Sequence, residues 1–164
     1  MDKLLKIKHW ILLAIWVFPA IITNILDLEG LWYLFGVIWG VYVYSIWLYS
    51  VGTKVYRAGT NSQFKIRLFK VGFIYLLIYP LFIFYDSFPG SGSFPIWQIP
   101  FHIVGLFFMF YLIFFVSKNL IQFEINHQIS KMDFFLTFCA FWFFPIGVFF
   151  VQPRINQIQQ LEVK

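Results

Sequence analysis

The chain has 164 residues, of which 61% are hydrophobic and 12% charged, with a formal net charge of +5 and a mean hydropathy of +0.79. Soluble domains carry about 25% charged residues, so an ordinary water-facing surface is excluded. A single cysteine, Cys139, excludes an internal disulfide, and the length allows one packed unit rather than two.

Five long apolar stretches dominate the chain: 10–26, 31–52, 68–85, 96–117 and 134–152, each of 17 to 22 residues. Crossing a hydrocarbon core takes about 20 helical residues. Lys70 is the one Asp, Glu, Lys or Arg that falls within these stretches. The expected fold is therefore all-α: a polytopic membrane bundle of five transmembrane helices forming a single domain. The 24 Phe residues are spread over every stretch, as filler for lipid-facing and interhelical surfaces rather than as a stacking box for a cofactor.

Lys3, Lys6 and Lys8 precede the first stretch, as they would in a signal peptide. The apolar run is too long for one, and Ile22-Thr-Asn24 offers no small-x-small cleavage site, so retention as the first helix is expected. Asp27-Leu-Glu-Gly30 is a tight polar turn that makes the first two helices antiparallel neighbours. Gly36 and Gly40 in the second stretch have small-xxx-small spacing, which favours a close helix–helix contact, within the bundle rather than in a dimer.

The next connection carries Lys54, Arg57, Lys65, Arg67 and Lys70 around a Gly59-Thr-Asn-Ser62 turn. These five are the expected contacts to anionic lipid headgroups. The connection from Asp86 to Pro95 is rich in Gly, Ser and Pro, so an irregular loop is expected, with Pro100 in the first turn of the fourth helix. From Lys118 to Asp133, Ile121, Ile125, Ile129 and Met132 recur at helical spacing among polar residues. Either an interfacial amphipathic helix near 118–132 or an extension of the fourth helix fits that pattern.

Pro19, Pro80 and Pro145 lie inside apolar stretches, and each frees the carbonyl four residues earlier, at Ile15, Leu76 and Phe141. Such breaks expose backbone oxygens in transporters, although proline is also common in ordinary transmembrane helices. Pro145 and Gly147 are expected to bend the fifth helix. Gln152-Pro-Arg154 is expected to end it, with Arg154 at the outer interface near Asp27, Glu29 or Asp86.

With the N-terminus inside, the inner connections hold ten of the twelve basic residues. The positive-inside rule then selects a cytoplasmic N-terminus and, with five crossings, a periplasmic C-terminus. A fifth segment that fails to span would return the C-terminus to the inside. The positive charge is thus a membrane-surface signal and not one for nucleic acid.

Candidate chemistry is sparse. Asn24-Ile-Leu-Asp27 with Asp86 has the look of a paired-aspartate intramembrane protease, as in lipoprotein signal peptidases. Their second Asn-x-Ala-Asp block is missing, since Asp86 sits in Phe-Tyr-Asp-Ser87, and anchoring at the interface is the simpler role. His102 lies about five residues into the fourth stretch and makes, with Asp27 and Asp86, the one candidate polar cluster. A hydrogen bond from His102 to Tyr75, Tyr79, Tyr85 or a loop carbonyl is expected in preference to metal binding. No phosphate loop or cysteine cluster is present, and neither a cofactor nor a metal is expected.

The C-terminal block Phe143-Phe-Pro-Ile-Gly-Val-Phe-Phe-Val-Gln-Pro-Arg-Ile-Asn156, with Ser117-Lys-Asn-Leu, Asp133-Phe-Phe and Lys8-His-Trp10, resembles a family of small multi-pass membrane proteins of Bacteroidota. The resemblance implies a bacterial inner-membrane protein and no particular activity. The expected function is a non-enzymatic accessory or interaction subunit, with partners among lipids, other membrane proteins or copies of itself. The alternative is a small oligomeric permease or channel that uses the proline breaks and the polar cluster.

Overall fold

A computed structural model describes residues 7–26, 31–58, 63–86, 96–125 and 131–162. They form six α-helices: α1 His9–Ile25, α2 Leu31–Ala58, α3 Gln63–Asp86, α4 Ile99–Ile125, α5 Lys131–Trp142 and α6 Phe144–Glu162. A 3-10 turn at Ile96–Gln98 leads into α4, and no strand occurs among the described residues. Together, Ile96–Glu124 make 29 residues, within which an 18-residue window reaches a mean hydropathy of 2.3, long and apolar enough to cross a membrane. His9–Ile25 and Met132–Trp142 are apolar but shorter.

Helices α1 to α4 run up and down. Gly36 of α2 faces Ala20 and Thr23 of α1, and Gly40 faces Trp16. Tyr49 of α2 stacks on Phe69 and Phe73 of α3, and Phe69 stacks on Phe115 of α4 with ring centroids 4.6 Å apart. Gly72 lets α3 approach α4 closely, because a Cβ there would lie 2.6 Å from both Phe108 and Leu112. The ends carrying His9, Lys54, Lys65 and Lys118 gather at one pole, the basic end; Ile25, Phe35, Phe82 and Phe101 mark the far end.

The stretch 134–152 departs from expectation. It is not one helix but parts of two, with the reversal at Phe143. The Phe143 amide still closes α5 on Cys139 at 2.9 Å, while the Phe143 carbonyl accepts from Ile146 (3.0 Å) and Gly147 (2.7 Å) and so opens α6. Helix α5 rises along α4, pairing Phe134 with Phe114 and Trp142 with Phe110; α6 descends along α1, pairing Phe144 with Trp16 and Phe149 with His9. Twelve residues of α5 rise about 18 Å, so the apex stops beside the middles of α1 and α4.

The physical reason is local. Pro145 falls in the first turn of α6, where a missing N–H costs nothing, instead of kinking a continuous helix. Gly147 abuts the Ala140 carbonyl, and any Cβ there would collide with it. Pro-x-Gly therefore permits a tight αα reversal.

Three further expectations are corrected with it. Gln152-Pro-Arg154 does not terminate the helix, since α6 continues through Pro153 to Glu162. Arg154 does not sit with the far-end acids but pairs with Glu124 near the end of α4. The C-terminal helix thus ends at the same pole as His9, not at the opposite one. Of the two alternatives for 118–132, residues 118–125 take the extension of α4, and 126–130 lie outside the described residues.

The buried core lies in the basic half. Trp47 is fully buried between Phe141 and Phe144, the two flanks of the reversal, at centroid distances of 5.4 and 5.1 Å. Val51, Val55, Leu112, Val116, Val148, Val151 and Ile155 complete it. Outside, every helix shows large apolar side chains, among them Phe18, Trp39, Ile74, Phe107, Phe135 and Phe150.

Candidate functional site

Because the α5–α6 hairpin stops halfway, it packs against α1, α2 and α4 on the basic side and leaves the space beyond its apex open. Two cavities lie there. One, of about 180 Å³, is walled by Ile38, Tyr44, Ser45, Leu76, Tyr79 and Gly105 between α2, α3 and α4. The second, of about 310 Å³, lies at the apex against Trp16, Gly40, Trp142, Phe144 and Pro145. They share Val41, Tyr44 and Met109 as walls. Exposed Leu106 borders the first, and exposed Trp142 and Pro145 border the second, so both open sideways onto the apolar exterior.

The lining is apolar with a few placed polar groups, the usual composition of a small-molecule site. The Ser45 hydroxyl is buried and has no hydrogen-bond partner. Pro80 removes the amide that the Leu76 carbonyl would otherwise accept from, and both residues line the first cavity. The hydroxyl of Tyr79 and Nδ1 of His102 are hydrogen-bonded at the far-end rim, with the two rings edge to face. Tyr75 donates to the Phe101 carbonyl at 2.6 Å. Apolar walls with one unpartnered hydroxyl suit a hydrocarbon-like occupant carrying one polar group.

The other interior polar groups tie helices together. Trp39 Nε1 donates to the Ile15 carbonyl at 3.0 Å, capping the oxygen freed by Pro19. Tyr44 donates to the Phe141 carbonyl at 2.9 Å, anchoring the hairpin apex to α2. Trp47 Nε1 donates to Gln152 Oε1 at 2.8 Å, and Gln152 Nε2 donates to Asn156. Arg154 donates bidentately to Glu124, through Nε at 2.8 Å and through Nη2, and its Nη1 reaches Thr137 at 3.0 Å. One guanidinium thereby joins α4, α5 and α6.

Of the expected polar cluster, only His102 has a described side chain. Asp27 lies outside the described residues, and Asp86 is the last residue of α3 with its side chain likewise outside them. Lys65, Arg67 and Lys70 are exposed along the start of α3, Lys54 is half-buried near the end of α2, and the side chain of Arg57 is not described. Pro80 lies against the first cavity, Pro145 against the second, and Gly147 at the reversal. Sequence reasoning missed Ser45, Gln152, Glu124 and Lys118 as placed groups. The signal that existed was polarity inside apolar surroundings; which positions meet is a tertiary matter. Among the described residues, no group of three His, Cys, Asp or Glu could hold a metal ion. No family model, no curated protein and no solved structure matches the chain.

Proposed function

We propose that the chain is a multi-pass bacterial inner-membrane protein without catalytic chemistry of its own, acting as an accessory or interaction subunit. Helices α1 to α4 cross the bilayer, and the α5–α6 hairpin enters from the cytoplasmic side and returns to it, so both termini are cytoplasmic. The carrying observation is the apolar exterior. Large apolar residues face outward on all six helices, whereas the buried Gln152 and the half-buried Tyr44 and Arg154 are hydrogen-bonded between helices. Soluble monomers rarely expose such continuous apolar surface, and a bilayer demands that polar groups be paired internally. The basic end then faces anionic lipid, in accord with the positive-inside rule.

Sidedness tests this reading. In a Cys139→Ala background, Thr60→Cys and Gln157→Cys should react with an impermeant maleimide only from the cytoplasmic face, and Ser91→Cys only from the outside. Labelling of residue 157 together with residue 91 would restore a fifth crossing and overturn the hairpin topology. Release of the chain by alkaline carbonate would overturn membrane embedding altogether.

A second reading, a small oligomeric permease, is favoured by the cleft beside proline-broken α3 and by the half-inserted hairpin. The lining argues for an apolar solute, because one unpartnered hydroxyl cannot replace the hydration shell of an ion. Proteoliposomes that pass a small apolar fluorescent solute at a rate abolished by filling the cleft with Ser45→Phe would favour this reading over the first.

A further inference from the structure

A third cavity, of about 240 Å³, lies at the basic end between α3 and α4. Its rim carries Lys65 of α3 and Lys118 of α4, both exposed. Below them the wall turns apolar, with Leu68, Phe114 and the buried Phe115. Tyr111 also lines it, and its hydroxyl donates to the Lys65 carbonyl at 3.1 Å, which locks the start of α3 against α4 and fixes the separation of the two rims. The buried Asn119 side chain donates to the Phe115 carbonyl at 2.6 Å, which fixes it in the wall.

Charge decides what this cavity takes. Among the described residues neither lysine forms an ion pair. The nearest described carboxylate along α4, Glu124, is engaged by Arg154. Two cations over an apolar floor, opening sideways at exposed Phe114, match an amphiphile with an anionic head and a hydrocarbon tail. We infer that this cavity is a binding site for one anionic phospholipid, with its phosphate between Lys65 and Lys118 and an acyl chain along Leu68 and Phe114. The inference rests on the membrane reading above and goes beyond it: Lys118 comes from a different helix, and the site discriminates by shape as well as by charge. Arg67 and Lys70 are exposed on α3 but do not line the cavity, so they supply the control.

Native mass spectrometry of the full chain released from detergent, titrated with phosphatidylglycerol, reads the site. One lipid should bind to the native protein, and phosphatidylcholine with the same chains should bind at least tenfold more weakly. Lys65→Gln with Lys118→Gln should weaken phosphatidylglycerol by about thirtyfold, two charges at about 1 kcal/mol each converted at 1.4 kcal/mol per tenfold. Arg67→Gln with Lys70→Gln removes equal charge and should stay within threefold. Leu68→Trp keeps both lysines but fills the floor, and should weaken the lipid while leaving inorganic phosphate binding unchanged. Equal losses in the two double variants would reduce the site to general surface charge and overturn the proposal. So would inorganic phosphate competing at the lipid's own concentration, which would mean that the head binds without the tail. Carbonate extraction reads the membrane setting separately: a chain washed off membranes sinks both readings, whereas a retained chain whose lipid binding ignores Lys65 and Lys118 sinks only this one.

Discussion

The two halves of the bundle are built from similar residues and packed differently. In the basic half, six helices surround Trp47, Phe69, Val116 and Val151, and the polar groups Gln152, Arg154 and Glu124 all have partners. In the far half, only α1 to α4 remain, and the space the hairpin does not reach is left as cavities against Ser45, Leu76 and Tyr79. Apolar composition alone therefore does not specify a packed interior. What decides it is how far each element extends, and here a reversal at Phe143 sets that limit.

The comparison breaks most severely at the reversal. Gly147→Leu drives a side chain into the Ala140 carbonyl and should cost more than about 4 kcal/mol, the range of severe overpacking and backbone strain. The expected readout is loss of a monodisperse, cooperatively melting species in detergent, while half-buried Cys139→Ala melts close to the native protein. Equal melting temperatures would mean that the hairpin is not closed at Gly147.

Next comes the guanidinium that pins the hairpin to α4. Arg154 and Glu124 have side-chain exposures of 30% and 26%, so removing one partner strands a mostly buried charge. Arg154→Met should destabilise by about 2–3 kcal/mol, and adding Glu124→Gln should recover part of that loss. A double variant as unstable as the sum of both singles would show that the two residues do not interact.

Within the packed half, Gln152→Leu leaves the fully buried Trp47 indole without its acceptor. A loss of about 1–2 kcal/mol is expected, visible as a lower melting temperature and a shift in tryptophan emission. The same kind of change in the hollow half should do almost nothing. Ser45→Ala removes a hydroxyl that has no partner, and should shift stability by less than about 0.5 kcal/mol, upward if at all. A clear loss at Ser45 would show that its hydroxyl is engaged and that the far half is as tightly specified as the basic half. Gly36→Ala meets Thr23 and Ala20 at 3.6–3.7 Å, ordinary contact distance, and should be the mildest change of all.

Much of this was legible in advance. Helices α1 to α4 follow the apolar stretches to within a few residues at most ends, because a long charge-free run has no better way to satisfy its backbone. The freed carbonyl at Ile15 follows from Pro19 and accepts from Trp39, whereas the Phe141 carbonyl, left open by the end of α5, accepts from Tyr44. Gly36 and Gly40 face α1 within the chain. The fifth stretch was misread because its hydropathy does not dip at the turn. Trp142, Phe143 and Phe144 are as apolar as their flanks, so a reversal there carries no polar mark.

Composition and periodicity by themselves determined that the chain is helical, that its polar residues gather in the connections, and that its basic residues collect at one end. They could do so because helix formation and charge avoidance are local properties of a segment. Only the tertiary structure decided which pole holds Arg154, which indole meets Gln152, and where the interior stays open. Those outcomes depend on the approach of two backbones at Gly147 and on the length of α5 relative to α4. Neither quantity belongs to any single stretch of sequence.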